Sequence, residues 1–187
     1  DTYVKSNAAT VYCEQIQSGN VLIGKSINQV TLKTGISSGA AGTYTVGLFD
    51  TTGGQTATHV FYTGNMNELS TTSTPDVEVT YGNGGTYDSG NGSVTISVDD
   101  CIGIQNTATT DYLYVSKTSN QGDGTSKLVE YQGSWSASDN GTFYLKAKDY
   151  STSDPSYYIG QSPTGTNTLP SLDEFYIFTS DKSSEAS

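Results

Sequence analysis

VLIGKSINQVTLKTGISSGAAGTYTVGLFD, residues 21–50, alternates twice between apolar and polar side chains. Two such runs flank a Gly/Ser/Ala turn at residues 36–42. In the first, Val30 and Leu32 fall on one face while Gln29, Thr31 and Lys33 fall on the other. In the second, Tyr44, Val46 and Leu48 oppose Thr43, Thr45 and Gly47. A strand with one buried and one wetted face needs this period of two. The pattern predicts a hairpin, or two neighbouring strands, of an antiparallel sheet.

The same alternation recurs on either side. Residues 2–17 read as one long or broken strand, with Val11, Cys13 and Gln15 opposing Tyr12, Glu14 and Ile16. Strands are expected near residues 56–63, 76–81, 93–98, 102–105, 111–117, 127–131 and 142–149, separated by Gly/Asn/Ser-rich turns. MNELS, residues 66–70, has room for one helical turn. Trp135 falls in a Gly/Ser loop, and Val94, Ile96 and Val98 are expected to face inward together. The fold class is therefore all-β: an antiparallel β-sandwich of the jelly-roll type with ten to twelve short strands.

Composition changes after Tyr150. Three of the four prolines lie in the stretch that follows, so the chain divides into a body, residues 1–149, and an extension, residues 150–187. The extension ends on LDEFYIFT, residues 172–179, where Phe175 and Ile177 point one way and Tyr176 and Phe178 the other. With Leu172, these residues form a strand that is apolar on both faces. Such a strand must be covered on both sides, in its own sandwich or in that of a neighbouring copy.

Totals exclude some functions. The net charge is −11 and no Arg occurs among the eight cationic residues. Nucleic-acid binding needs cations that displace counterions, and Arg is the usual reader of bases, so no nucleic-acid partner is expected. No apolar run approaches the ~20 residues that a membrane helix needs, so no membrane insertion is expected. The sequence opens on Asp1 without Met, compatible with trimming or with a processed, exported protein. Cys13 and Cys101 either pair as a disulfide in an oxidising compartment or stand as two buried thiols; a bridge would contribute about 4–5 kcal/mol by loop entropy.

The body resembles the concanavalin-like or carbohydrate-binding-like jelly rolls of exported surface proteins. The residues that carry the likeness are Ile23–Gly24–Lys25–Ser26–Ile27 with Val30–Thr31–Leu32–Lys33, then Gly42–Thr43–Tyr44–Thr45–Val46, Ile102–Gly103–Ile104 and Tyr131–Gln132–Gly133–Ser134–Trp135. Tyr158–Ile159–Gly160 and the LDEFYI run resemble the closing strands of laminin-G-like domains. The resemblance implies an extracellular or cell-surface module that adheres to glycans, decorates enzymes or builds surface layers, and that often holds a structural calcium.

Chemistry is sparse. His59 is the only histidine, and no G-x-S-x-G elbow accompanies it. One His and two distant Cys exclude zinc. Asp76 and Glu78 stand on one strand, but Thr80 breaks the triple-acid pattern of jelly-roll glycosidases, so no enzyme is expected. Calcium takes oxygen ligands, for which Asp50, Asp99, Asp100 and Asp123 are candidates, with plain solvated turn acids as the alternative. Sugars stack on exposed aromatic rings, and Trp135, Tyr87, Tyr112 and Tyr114 are the candidates, with sealing of the sandwich edge as the alternative. Asn91 and Asn140 begin N-glycosylation sequons. Two functions follow as expectations: a non-catalytic subunit of a filament or surface assembly, polymerising by strand addition, or a carbohydrate-binding adhesion module.

Overall fold

A computed structural model describes residues 2–6, 10–108, 111–118, 124–138, 141–149 and 156–159. They form two antiparallel sheets stacked face to face, with strands numbered along the chain. The first sheet holds β1 (Thr2–Ser6), β3 (Ser26–Ile36), β6 (Glu78–Gly82), β7 (Val94–Thr95), β9 (Leu113–Thr118), β12 (Thr142–Phe143), β13 (Leu145–Asp149) and β14 (Ser156–Ile159). The second runs β11 (Trp135–Ala137), β10 (Ser126–Tyr131), β2 (Val11–Ile16), β8 (Asp100–Asn106), β4 (Thr43–Asp50), β5 (Ala57–Asn65). One 3-10 turn, Met66–Glu68, stands where MNELS predicts it.

The alternation of residues 21–50 predicts the buried faces correctly: Val30, Leu32, Tyr44, Val46 and Leu48 all lie in the main core. The pairing it suggests is wrong. β3 pairs with β6, β7, β9 and β13, whereas β4 pairs with β5 and β8, so the two runs belong to opposite sheets. Residues 37–42 arch from one layer to the other. Gly42 makes this possible at φ 121°, where a Cβ would come within 2.9 Å of the Ala108 Cβ. A period of two states which face is covered and is silent on which edge is paired.

Other differences are smaller. Residues 2–17 break into β1 and β2, which enter different sheets. Trp135 opens the short strand β11 rather than a loop. Val98 is 46% exposed because the chain crosses between sheets after Ile96, which is buried. Beyond the body, β14 pairs with β13 and extends the first sheet.

The main core is lined by Tyr44, Phe61, Tyr81, Phe143, Ile102 and Leu32, among others. Glu14 sits inside it with no exposed surface. Its carboxylate accepts the Ser126 hydroxyl at 2.7 Å and the Phe143 backbone N–H at 3.0 Å, tying β2 and β10 of one sheet to β12 of the other. An unpartnered carboxylate there would cost several kcal/mol; these bonds offset the loss of its hydration.

A second, smaller apolar cluster lies on the far face of the second sheet: Val11, Cys13, Phe49, Cys101 and Val129 are buried, with Ala57, Tyr131 and Trp135 against them. Gly47 and Gly103 are register partners in the middle of this face. A Cβ on Gly103 would lie 2.1 Å from the Tyr12 carbonyl oxygen, and one on Gly47 would lie 2.6 Å from that of His59. Strands approach so closely here that only glycine fits. Trp135 completes the cluster. Its indole N–H donates to the Gly53 carbonyl at 3.1 Å, joining β11 at one edge of the sheet to the β4–β5 turn.

Candidate functional site

The densest network of exposed and half-exposed charged and aromatic groups in the first sheet lies on its outer face. β3, β6 and β13 run side by side, so Lys33 stands opposite Glu78, Thr31 lies between Thr80 and Lys146, and Gln29 is opposite Lys148. The Lys33 ammonium sits 4.3 Å from the centre of the Tyr144 ring. The Tyr144 hydroxyl donates to one Glu78 oxygen, and Lys146 Nζ lies 3.1 Å from the other. Burial works to raise the Glu78 carboxyl, but Tyr144, Lys146 and Lys33 outweigh it and hold the group below its ordinary range. Thr31 and Thr80 hydroxyls are 3.0 Å apart. The outward set on each strand is readable from the sequence; the register that brings β13 beside β3 and β6 is not.

The fold brings three of the four calcium candidates to one corner. Asp50 and Asp100 are register partners, and Asp99 precedes β8 at φ 70°. Asp99 accepts the Gln15 side-chain amide at 3.3 Å, while Asp50 and Asp100 serve groups close to them in the chain. Asp50 accepts the Thr52 N–H and hydroxyl at 2.8 and 2.7 Å, which hold its carboxyl low. Asp100 accepts the Ser97 N–H at 2.7 Å. Burial raises the Asp100 carboxyl, and Asp50 and Asp99 add to the rise. Among the described residues, no group of three or more His, Cys, Asp or Glu converges as a metal site. Asp123 lies outside the described residues.

The four aromatic candidates do not share a platform. Trp135 faces the second cluster, with its ring 5.3 Å from Tyr131. Tyr87 stacks on Tyr62 and Tyr81 at 5.0 and 5.5 Å and donates to the Glu68 carbonyl at 2.5 Å. Tyr44 joins that group 6.0 Å from Tyr62 and from Tyr81. Burial pushes the Tyr62 phenol up to about 12, helped by its bond to Glu68. Tyr112 and Tyr114 stand 6.4 Å apart on β9 and the residue before it, and Tyr114 is buried.

Cys13 and Cys101 are free thiols, not a disulfide, and both are fully buried. Cys13 stands opposite Gly103 and Cys101 opposite Gln15, so the two are diagonal neighbours. Diagonal Cα atoms lie roughly 7–8 Å apart, beyond the span a disulfide bridges without backbone movement. Burial pushes the Cys13 thiol well above its ordinary value, and Cys101 and Glu14 add to the rise.

His59 lies beside Phe61 on β5, and its Nε2 is buried without a hydrogen-bond partner among the described residues. Burial lowers its imidazole below the ordinary value, against an opposing bond to the Gly92 backbone. The Asn91 side-chain amide donates to the Val60 carbonyl at 2.6 Å, so a glycan on that nitrogen would compete with this bond. Asn140 and the strand carrying Leu172, Phe175, Tyr176, Ile177 and Phe178 lie outside the described residues. No helix of the described residues is long and apolar enough to cross a membrane.

No protein-family model, no curated protein and no solved structure matches this chain. Of the resemblance drawn from the sequence, the two-sheet antiparallel architecture is what the structure shows.

Proposed function

We propose that the protein is a non-catalytic structural subunit of an extracellular filament or surface layer. Copies join when the C-terminal strand of one adds to a sheet edge of the next. The observation that carries this reading is LDEFYIFT at residues 172–179, apolar on both faces and reached through a Pro/Ser/Thr/Gly connector. Supporting it, the aromatic groups that would serve as sugar platforms are engaged internally: Trp135 on Gly53, Tyr87 between Tyr62 and Tyr81. Removing residues 170–187 tests the reading. Light scattering should find a polymer for the full chain and a folded monomer for the shortened one. Unchanged association after the truncation would overturn it.

The alternative, a carbohydrate-binding adhesion module, rests on Tyr112, which stands just before β9 beside the buried Tyr114. It requires glycan-array binding by the intact protein that Tyr112→Ala removes while leaving the melting temperature in place.

A further inference from the structure

We propose that Tyr62 and Tyr87 form an oxidative cross-linking site, in which Glu68 takes the phenolic proton of Tyr62 and the two rings join as dityrosine. The oxidant is hydrogen peroxide acting through a haem peroxidase, which withdraws one electron at a time. The product fastens the loop that carries Tyr87 to β5, the last strand of the second sheet.

Four phenols meet here, and they are not equivalent. Tyr44 and Tyr81 have no exposed surface, whereas Tyr62 and Tyr87 are half-buried at the rim of the main core. The Tyr44 hydroxyl has no hydrogen-bond partner among the described residues, and the Tyr81 hydroxyl lies 2.6 Å from that of Thr34. Neither is bonded to a base. Tyr62 is different: its hydroxyl donates to the Glu68 carboxylate at 2.8 Å. The Asn65 side-chain amide holds the other carboxylate oxygen at 3.4 Å. A Cβ on Gly64 would fall 2.3 Å from the Tyr62 ring and 2.5 Å from the bonded Glu68 oxygen, so glycine leaves the space that the pair occupies. Glu68 is exposed, so a proton received there passes on to water.

Proton release decides which phenol is oxidised. Burial pushes the Tyr62 phenol up, so the ring holds its proton at neutral pH and must lose it together with the electron. A hydrogen-bonded carboxylate is placed to take that proton. Tyr87 then supplies the second ring, stacked at 5.0 Å with 28° between the planes, and its own proton leaves to water from its exposed side. The partner radical forms beside the first instead of having to diffuse to it. Each phenol gives up one electron and one proton. The rings couple through a carbon ortho to each oxygen, and the hydrogens on those carbons shift to the oxygens as aromaticity returns. Hydrogen peroxide takes up the two electrons and two protons and leaves as two waters.

The test treats the full chain with hydrogen peroxide and a haem peroxidase and recovers single chains under denaturing conditions. Their mass should fall by two hydrogens, dityrosine fluorescence should appear, and digestion should join the peptide holding Tyr62 to the one holding Tyr87. Tyr62→Phe and Tyr87→Phe should each remove that linked peptide. Glu68→Gln keeps an acceptor for the Tyr62 hydroxyl but is not a base, and should slow the link about tenfold or more. Near-ultraviolet circular dichroism like that of the wild type shows that the tyrosine stack is kept in this variant. The wild-type peptide map decides the matter even where a variant does not fold. Links confined to other tyrosines, a Tyr81–Tyr87 link in place of Tyr62–Tyr87, or no link from a peroxidase that couples free tyrosine would each overturn the proposal. An unchanged rate in Glu68→Gln removes the carboxylate from the reaction and overturns its part.

Discussion

The outer faces of the two sheets obey one rule of alternation and reach opposite ends. On the first sheet the outward residues are Lys33, Glu78, Lys146 and threonines, joined by the Lys146–Glu78 ion pair and hydrogen bonds. On the second the outward residues are Val11, Cys13, Cys101, Phe49 and Val129, and they are buried. The difference lies in what crosses each face. Close approach at Gly47 and Gly103, with Trp135 and Tyr131 alongside, gives the second sheet a dry cluster of its own. A sheet can therefore be amphipathic toward its partner layer or apolar on both faces. Whether a second cover exists decides which.

This contrast can be broken at its tightest point first. Gly103→Ala places a Cβ against the Tyr12 carbonyl and the Cys13 backbone, neither of which can swing away. The loss should be about 3 kcal/mol, read as a lower urea midpoint. Trp135→Ala should cost less, about 2 kcal/mol for a half-buried ring, while Tyr144→Ala on the other face should cost under about 1 kcal/mol. Equal losses at the two aromatics would erase the distinction between the faces.

Thiol reactivity sharpens the same contrast without relying on stability. In the native protein neither Cys13 nor Cys101 should react with an aromatic disulfide reagent, and both should react after unfolding. Trp135→Ala should speed the native reaction about tenfold or more, since it removes the cover. A single reactive thiol, or none after unfolding, would contradict the pair of free buried cysteines. The smallest effect is electrostatic. The folded Glu78 carboxyl lies below its unfolded value, so its contribution is present above the ordinary carboxylate range and is lost as pH falls through the folded value. Wild type and Glu78→Gln should differ slightly at neutral pH and converge in acid, and Trp135→Ala should show no such convergence.

The sequence reveals burial far better than it reveals neighbours. Val30, Leu32, Tyr44, Val46, Leu48, Phe143, Leu145 and Ala147 all face inward as their spacing indicates. The opening stretch nevertheless splits between sheets, because a six-residue arch and a hairpin loop have similar compositions. The two-faced apolar content of residues 11–16 was a legible hint of the second cluster; its cover was not, since Trp135 and Gly53 are 82 positions apart. The Lys33–Tyr144–Glu78–Lys146 network was hidden for the same reason. Its members lie on β3, β6 and β13 and at Tyr144 just before β13, and only the strand register unites them. The expected disulfide is absent for a reason of this kind, because a two-residue offset along the ladder makes Cys13 and Cys101 diagonal neighbours rather than partners.

The long central strand β3 has a kinetic consequence. Its Val30 pairs with Tyr81 on one side and Ala147 on the other, and its Thr34 with Val115, so its hydrogen bonds must wait for chain made about fifty to about 120 residues later. Few neighbours along the chain can zip together on their own; β4 with β5, β10 with β11 and β13 with β14 are the local exceptions. Collapse must enclose distant segments at once, which makes refolding slow for a domain of this size and leaves β3 open to mispairing while it waits.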